Sequence, residues 1–168
     1  MRKGAALVAA VVALCLLGAS TASAASPRLN KAQWSAYVKA HTPYVTQTAK
    51  TVATFRKCRS STAYTSYMKA FAACLGTAPA KEDAATKALY FTLLPFQGKV
   101  SGACGKSLGG YLQALYFWRS VVLGIERAVK IVSSNVATVE GQVQNGQLAA
   151  QRANTAAAAF TKACKPLS

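Results

Sequence analysis

The sequence predicts an all-α fold: a disulfide-stapled antiparallel bundle of four or five helices, the first of them kinked at a proline. Three observations lead there. Reading from Tyr111 in alternating steps of four and three residues gives Leu115, Trp118, Val122, Ile125, Val129, Val132, Val136, Val139 and Val143, then Gly146, Ala150, Ala153, Ala157, Phe160 and Cys164. That spacing keeps one apolar stripe on one helical face. A second stripe in the same rhythm runs through Trp34, Val38, His41, Val45, Thr48, Val52 and Phe55. No alternating stretch long enough to make a useful strand occurs anywhere.

The first 24 residues read as a secretory signal peptide rather than as part of the fold. Arg2 and Lys3 give a positive start, Ala5 to Leu17 an uncharged apolar run, and Ala22-Ser23-Ala24 the small residues a signal peptidase requires. Cleavage is expected after Ala24. The apolar run is shorter than the ~20 residues of a membrane-spanning helix, so it is a leader and not an anchor. Cys15 goes with it, because Leu14 is too large for a lipoprotein cleavage site. Residues 25–168 then form one domain of 144 residues, long enough for a single core.

After a short arm through Ser26-Pro27, Asn30 stands three residues before Gln33, the spacing of a reciprocal helix cap. A helix over roughly 31–58 follows. Pro43 lies inside it and removes a backbone hydrogen bond, which is why the kink is placed at Thr42-Pro43. Tyr64, Tyr67, Met68, Phe71 and Leu75 mark a shorter helix closed by Gly76. Pro79 opens a third, with Glu82 and Asp83 in its first turn against the positive pole of the helix dipole, and Ala85, Leu89, Leu93 and Phe96 as its apolar residues. Pro95 ends it. The five glycines between Gln97 and Gly110 read as a connection anchored by Cys104.

A single helix from Gly110 to Cys164 would span roughly 80 Å and leave most of its stripe uncovered. It must fold back. Cys104 and Cys164 are equally distant in sequence from Ser134, so a turn at Ser133-Ser134-Asn135 brings them to the same end; Asn145-Gly146 is the alternative turn. Four cysteines in an exported chain make two disulfides. The symmetry pairs Cys104 with Cys164. Cys58–Cys74 follows by exclusion and fits less easily, because a straight helix from Ser61 carries Cys74 about 20 Å away.

Charge supplies the functional reading. The chain carries 20 Lys and Arg against 4 Asp and Glu, and residues 25–168 keep 18 of those cations and all the acids, a formal +14. Such an excess favours polyanions and anionic membranes. The densest cluster is Arg56-Lys57-Cys58-Arg59, and Arg56, Lys57 and Arg59 are the expected anion-binding residues. Secretion, on a signal peptide of bacterial type, argues against specific DNA recognition, so the expected partner is an anionic envelope polymer or an anionic lipid surface.

Other chemistry is scarce. With one His, one Asp and three Glu, the chain offers few acids and bases able to converge, and it reads as a binding protein rather than an enzyme. No metal ligand set or cofactor is expected. A carrier of haem or a small apolar ligand is the second reading, with His41 beside the proline and Met68, Tyr44, Tyr64 or Tyr67 as a further ligand. A membrane-active basic protein is the third. Gln113 and Arg119 interrupt the apolar run from Leu108 to Ile125, so no transmembrane span is expected in the mature chain.

Overall fold

The computed structural model describes residues 25–60, 68–130 and 136–167, and every extended element among them is helical. Five α-helices pack against one another: α1 (Lys31–Ser60), α2 (Met68–Leu75), α3 (Ala78–Leu93), α4 (Gly102–Lys130) and α5 (Val136–Cys164). A 3-10 turn (Leu94–Phe96) follows α3. No helix of the described residues is long and apolar enough to cross a membrane.

The predicted cap forms. The Asn30 N–H donates to Gln33 Oε1 at 3.0 Å and the Gln33 N–H donates to Asn30 Oδ1 at 2.8 Å, satisfying two donors that the first turn of α1 leaves open. Pro43 stands inside α1, which continues to Ser60 with Lys57 and Arg59 in its last turn. The arm before α1 is tied down at two points, both close to the Cys104–Cys164 bond. Ser26 pairs with the 97–101 loop through Ser26 N–H to Lys99 O and Ser101 N–H to Ser26 O, while the Leu29 N–H donates to Cys164 O.

The face α1 buries differs from the expected stripe. Tyr37, Tyr44, Thr48, Thr51, Phe55 and Cys58 are buried, whereas Val38 and Val45 are 44% and 45% exposed. The buried set, with His41 half-buried between its members, also steps in fours and threes. Only Thr48 and Phe55 belong wholly to both sets. Two tyrosines bury more area than two valines, and area decides which face turns inward.

Cys58 and Cys74 are joined, with their Cα atoms 5.7 Å apart. The steric objection to this pair rests on a helix from Ser61, and residues 61–67 lie outside the described residues; α2 is described over Met68–Leu75. Tyr64 and Tyr67 lie outside the described residues. Gly76, at φ +51°, takes the chain from α2 towards α3 in the left-handed conformation that glycine permits.

α4 starts eight residues earlier than expected, at Gly102, so most of the glycine-rich stretch is helix and not connection. The reason is visible at Gly105. A Cβ there would lie 2.9 Å from the carbonyl oxygen of Val100, so the glycine is what lets the first turn of α4 sit on the preceding loop. The two described ends of the long stripe hold: Tyr111, Leu115, Trp118, Val122 and Ile125 on α4 and Phe160 and Cys164 on α5 are wholly buried, while the side chains of Val129, Val132, Val136 and Val139 lie outside the described residues. Cys104 and Cys164 are disulfide-bonded, Cα to Cα 4.8 Å. Tyr111 packs on Phe160, and Gly146 sits beside Trp118, Val121 and Ile125. The turn expected at Ser133-Ser134-Asn135 lies outside the described residues. The alternative at Asn145-Gly146 is overturned, because both residues are inside α5.

Candidate functional site

Arg56 and Arg59 project from the last two turns of α1, both exposed, one turn apart on the same side of the helix. The Cys58–Cys74 bond between them fastens this end of α1 to α2. Facing them across a groove is α5. At one end of the groove, Arg56 and Arg59 border a small depression floored by Phe55, Trp118, Val143 and Gly146. It opens beside a larger one of about 500 Å³, with Val45, Thr48, Ala49 and Val52 on the α1 side and Gln147, Ala150, Gln151 and Asn154 on the α5 side. Arg56 belongs to both.

Two features of the sequence make this groove. Ala49, Ala53 and Ala150 are too small to close the gap between the helices, and the face of α1 that carries Val45 is turned outwards. Gln147, Gln151 and Asn154, at steps of four and three, set a row of side-chain amides along one wall. Among the described residues, no acidic side chain lines either depression. The groove therefore offers two guanidinium groups, whose donor forks suit phosphate or carboxylate, and amides that can bond hydroxyl or anionic oxygens. Lys57, expected to act with the two arginines, is exposed on α1 but does not line the groove.

Two of the chain's four acids, Glu82 and Asp83, are engaged elsewhere. Asp83 is paired with the Arg119 guanidinium at 2.5 Å, linking α3 to α4. Neither Glu82 nor Asp83 is in the first turn of α3, where they were expected, because the helix starts at Ala78; Glu82 is fully buried. Its Oε1 accepts from Trp118 Nε1 at 2.6 Å, Thr48 Oγ1 at 2.7 Å and Thr86 Oγ1 at 3.3 Å. Its Oε2 and the Tyr111 hydroxyl are buried with no hydrogen-bond partner among the described residues. Burial pushes the Tyr44 and Tyr111 phenols well above their usual range, and Glu82 adds to the effect on Tyr44. Glu82, Thr86, Leu89, Leu93 and Phe96 are spaced in fours and threes, so the signal for an inward Glu82 was in the sequence, masked by the rule that carboxylates favour helix starts.

His41 is half-buried against the rings of Tyr37 and Tyr44, at centroid distances of 4.9 and 6.1 Å. Burial lowers its pKa. Of the other ligands weighed for haem, Tyr64, Tyr67 and the side chain of Met68 lie outside the described residues, and Tyr44 faces the core. Among the described residues, no group of three His, Cys, Asp or Glu is placed to hold a metal ion. The chain matches no family model, and no curated protein or solved structure is similar to it.

Proposed function

We propose that this is a secreted, non-enzymatic binding protein that holds an anionic envelope polymer or surface along the groove between α1 and α5. The observation that carries this reading is Arg56: it is shared by the two adjoining depressions, has Arg59 beside it and amides opposite, and among the described residues no carboxylate lies in either lining. The overall balance supports it. Against a formal +14 for residues 25–168, Glu82 is withdrawn into the core and Asp83 is taken up by Arg119. Two disulfides and the leader-like residues 1–24 fit export from a bacterial cell. In this reading the bundle is antiparallel and α1 bends at Pro43, exposing the stretch that carries Val45 and Ala49 to the groove.

The test is a salt titration. Binding of long-chain inorganic polyphosphate, and of vesicles containing phosphatidylglycerol, should weaken steeply between about 50 and 200 mM salt as condensed counterions return. Replacing Arg56 and Arg59 together by Gln should lower the slope of log affinity against log salt by about two, one per lost contact. The same change at Lys31 and Lys87, both exposed and away from the groove, should alter it less. Equal losses from both double variants would mean that the charge acts diffusely and that the groove is not the site.

A further inference from the structure

A second groove, of about 670 Å³ and open to solvent, runs between α4 and α5 and shares no lining residue with the first. It exists because Gly110 and Ala114 on α4 face Ala156 and Ala159 on α5, leaving a floor without bulk. Beside that floor stand two aromatic side chains that the core does not use. Tyr116 is 64% exposed and Phe117 38% exposed, although their neighbours Leu115 and Trp118 are wholly buried. The Arg152 guanidinium lies 5.6 Å from the centre of the Phe117 ring, so a cation is held at the groove by an aromatic face. Gln113 and Thr155 add an amide and a hydroxyl, and among the described residues no acidic side chain lines the groove.

We infer that this groove binds an acidic saccharide, with a pyranose ring against Tyr116 and its carboxylate on Arg152. Each part of the lining has a counterpart in such a ligand. The C–H face of a sugar ring covers an exposed aromatic ring, a flat ring fits between small residues, and the hydroxyls reach neutral amide and hydroxyl groups. The guanidinium fork matches a carboxylate, and pre-positioning on Phe117 reduces the freedom lost on binding. An acyl chain would need an enclosed apolar path, which an open groove carrying Gln113, Thr155 and Arg152 does not provide. The site is independent of the groove at Arg56: it lies on the other flank of α5, and its recognition depends on an uncharged aromatic residue.

That independence sets the experiment. Calorimetric titration of the disulfide-intact protein with tetragalacturonate at about 50 mM salt should show binding, and the neutral maltotetraose should bind more weakly by about tenfold or more. Tyr116→Ala, which leaves the net charge unchanged, and Arg152→Gln should each weaken tetragalacturonate by about tenfold or more. Gly110→Leu should abolish it by filling the floor; a Cβ at Gly110 meets nothing within 4 Å, so the backbone there has room for a side chain, and an unaltered far-ultraviolet spectrum checks that the fold tolerates the leucine. The Arg56 and Arg59 double variant should bind within about twofold of the wild type, because those residues are in the other groove. Full affinity in Tyr116→Ala overturns the proposal and leaves only attraction by general charge. Equal binding of the acidic and neutral tetrasaccharides overturns the role of Arg152, and dodecanoate binding in the absence of tetragalacturonate binding makes the groove an amphiphile site instead.

Discussion

Trp118 donates its indole N–H to Glu82 at 2.6 Å across the contact between α4 and α3, with both side chains fully buried. The same carboxylate oxygen accepts from Thr48 on α1 and from Thr86 on α3, so a single atom ties three helices together. All three donors are neutral. The charge is held by oriented dipoles, which are strong in a low-dielectric interior and costly when left unmatched. This knot lies directly behind the Arg56 groove, where Trp118 is part of the floor of one depression and Thr48 part of the wall of the other.

Removing the acceptor and removing the charge should therefore have different consequences. Glu82→Ala leaves Trp118, Thr48 and Thr86 with buried, unmatched donors, and should cost about 3–5 kcal/mol. Glu82→Gln keeps an oxygen for the three donors and removes a desolvated charge, so its loss should be about 1 kcal/mol or less. Urea unfolding of the two variants measures this. A Gln variant as unstable as the Ala variant would show that the charge, and not the shared acceptor, holds the knot.

The disulfides should differ in weight. Cys104–Cys164 closes a sequence separation of 60 and Cys58–Cys74 one of 16. In the chain-entropy picture, replacing the first pair by Ser costs about 4 kcal/mol and the second about 3. The second also fastens the end of α1 that carries Arg56 and Arg59. Its loss should accordingly lower polyphosphate affinity in protein that is still folded, whereas loss of Cys104–Cys164 should lower stability alone. Thermal unfolding together with binding below the transition separates the two effects.

Acid should weaken the fold through His41. Burial beside Tyr37 and Tyr44 lowers its pKa in the folded state, so below about pH 6.5 the unfolded chain binds more protons than the folded one. Stability from this group is full above that pH and is lost as pH falls through the lower folded value. His41→Gln should flatten the dependence of unfolding free energy on pH between about 7 and 5. The raised phenols act at the other extreme: folding keeps Tyr44 and Tyr111 protonated, so their contribution is lost as pH rises above about 10.

The parts of the fold legible in the sequence are those in which one strong pattern had no rival. The stripe from Tyr111 to Ile125 and the Asn30-Gln33 cap are of this kind, and the Cys104–Cys164 pair followed from placing the return of the chain midway between them. Where two patterns competed, residue character misled. Val38 and Val45 looked more apolar than Tyr37 and Tyr44, yet the tyrosines are inside. Beside Pro79, Glu82 read as a first-turn carboxylate although it also kept the inward spacing; α3 starts at Ala78, which puts it past the first turn and against Trp118 and Thr48. Of the candidate site, Arg56 and Arg59 were visible as a cluster of charge. Their partners Gln147, Gln151 and Asn154 were not, because a row of neutral amides carries no signal until the helix opposite is known.

Glycine gives the last prediction, since two glycines that read alike as breakers have opposite roles. Gly146 follows Asn145 and suggested a turn, but it lies within α5, where an added Cβ would rest 3.7–3.8 Å from Ile125, Val121 and Trp118, at ordinary van der Waals distance. Gly146→Ala should therefore gain helix propensity and a little packing without strain, raising stability by about 0.5–1 kcal/mol. At Gly105 the same substitution drives a methyl to 2.9 Å from the Val100 carbonyl oxygen, a backbone atom held by the loop that also pairs with Ser26. The first turn of α4 must then shift, carrying Cys104 with it, and Gly105→Ala should destabilise by about 1–3 kcal/mol. Unfolding curves for the two single variants are enough to check this. Destabilisation by Gly146→Ala would mean that residue 146 is not in the middle of a helix and would reopen the position of the turn between α4 and α5.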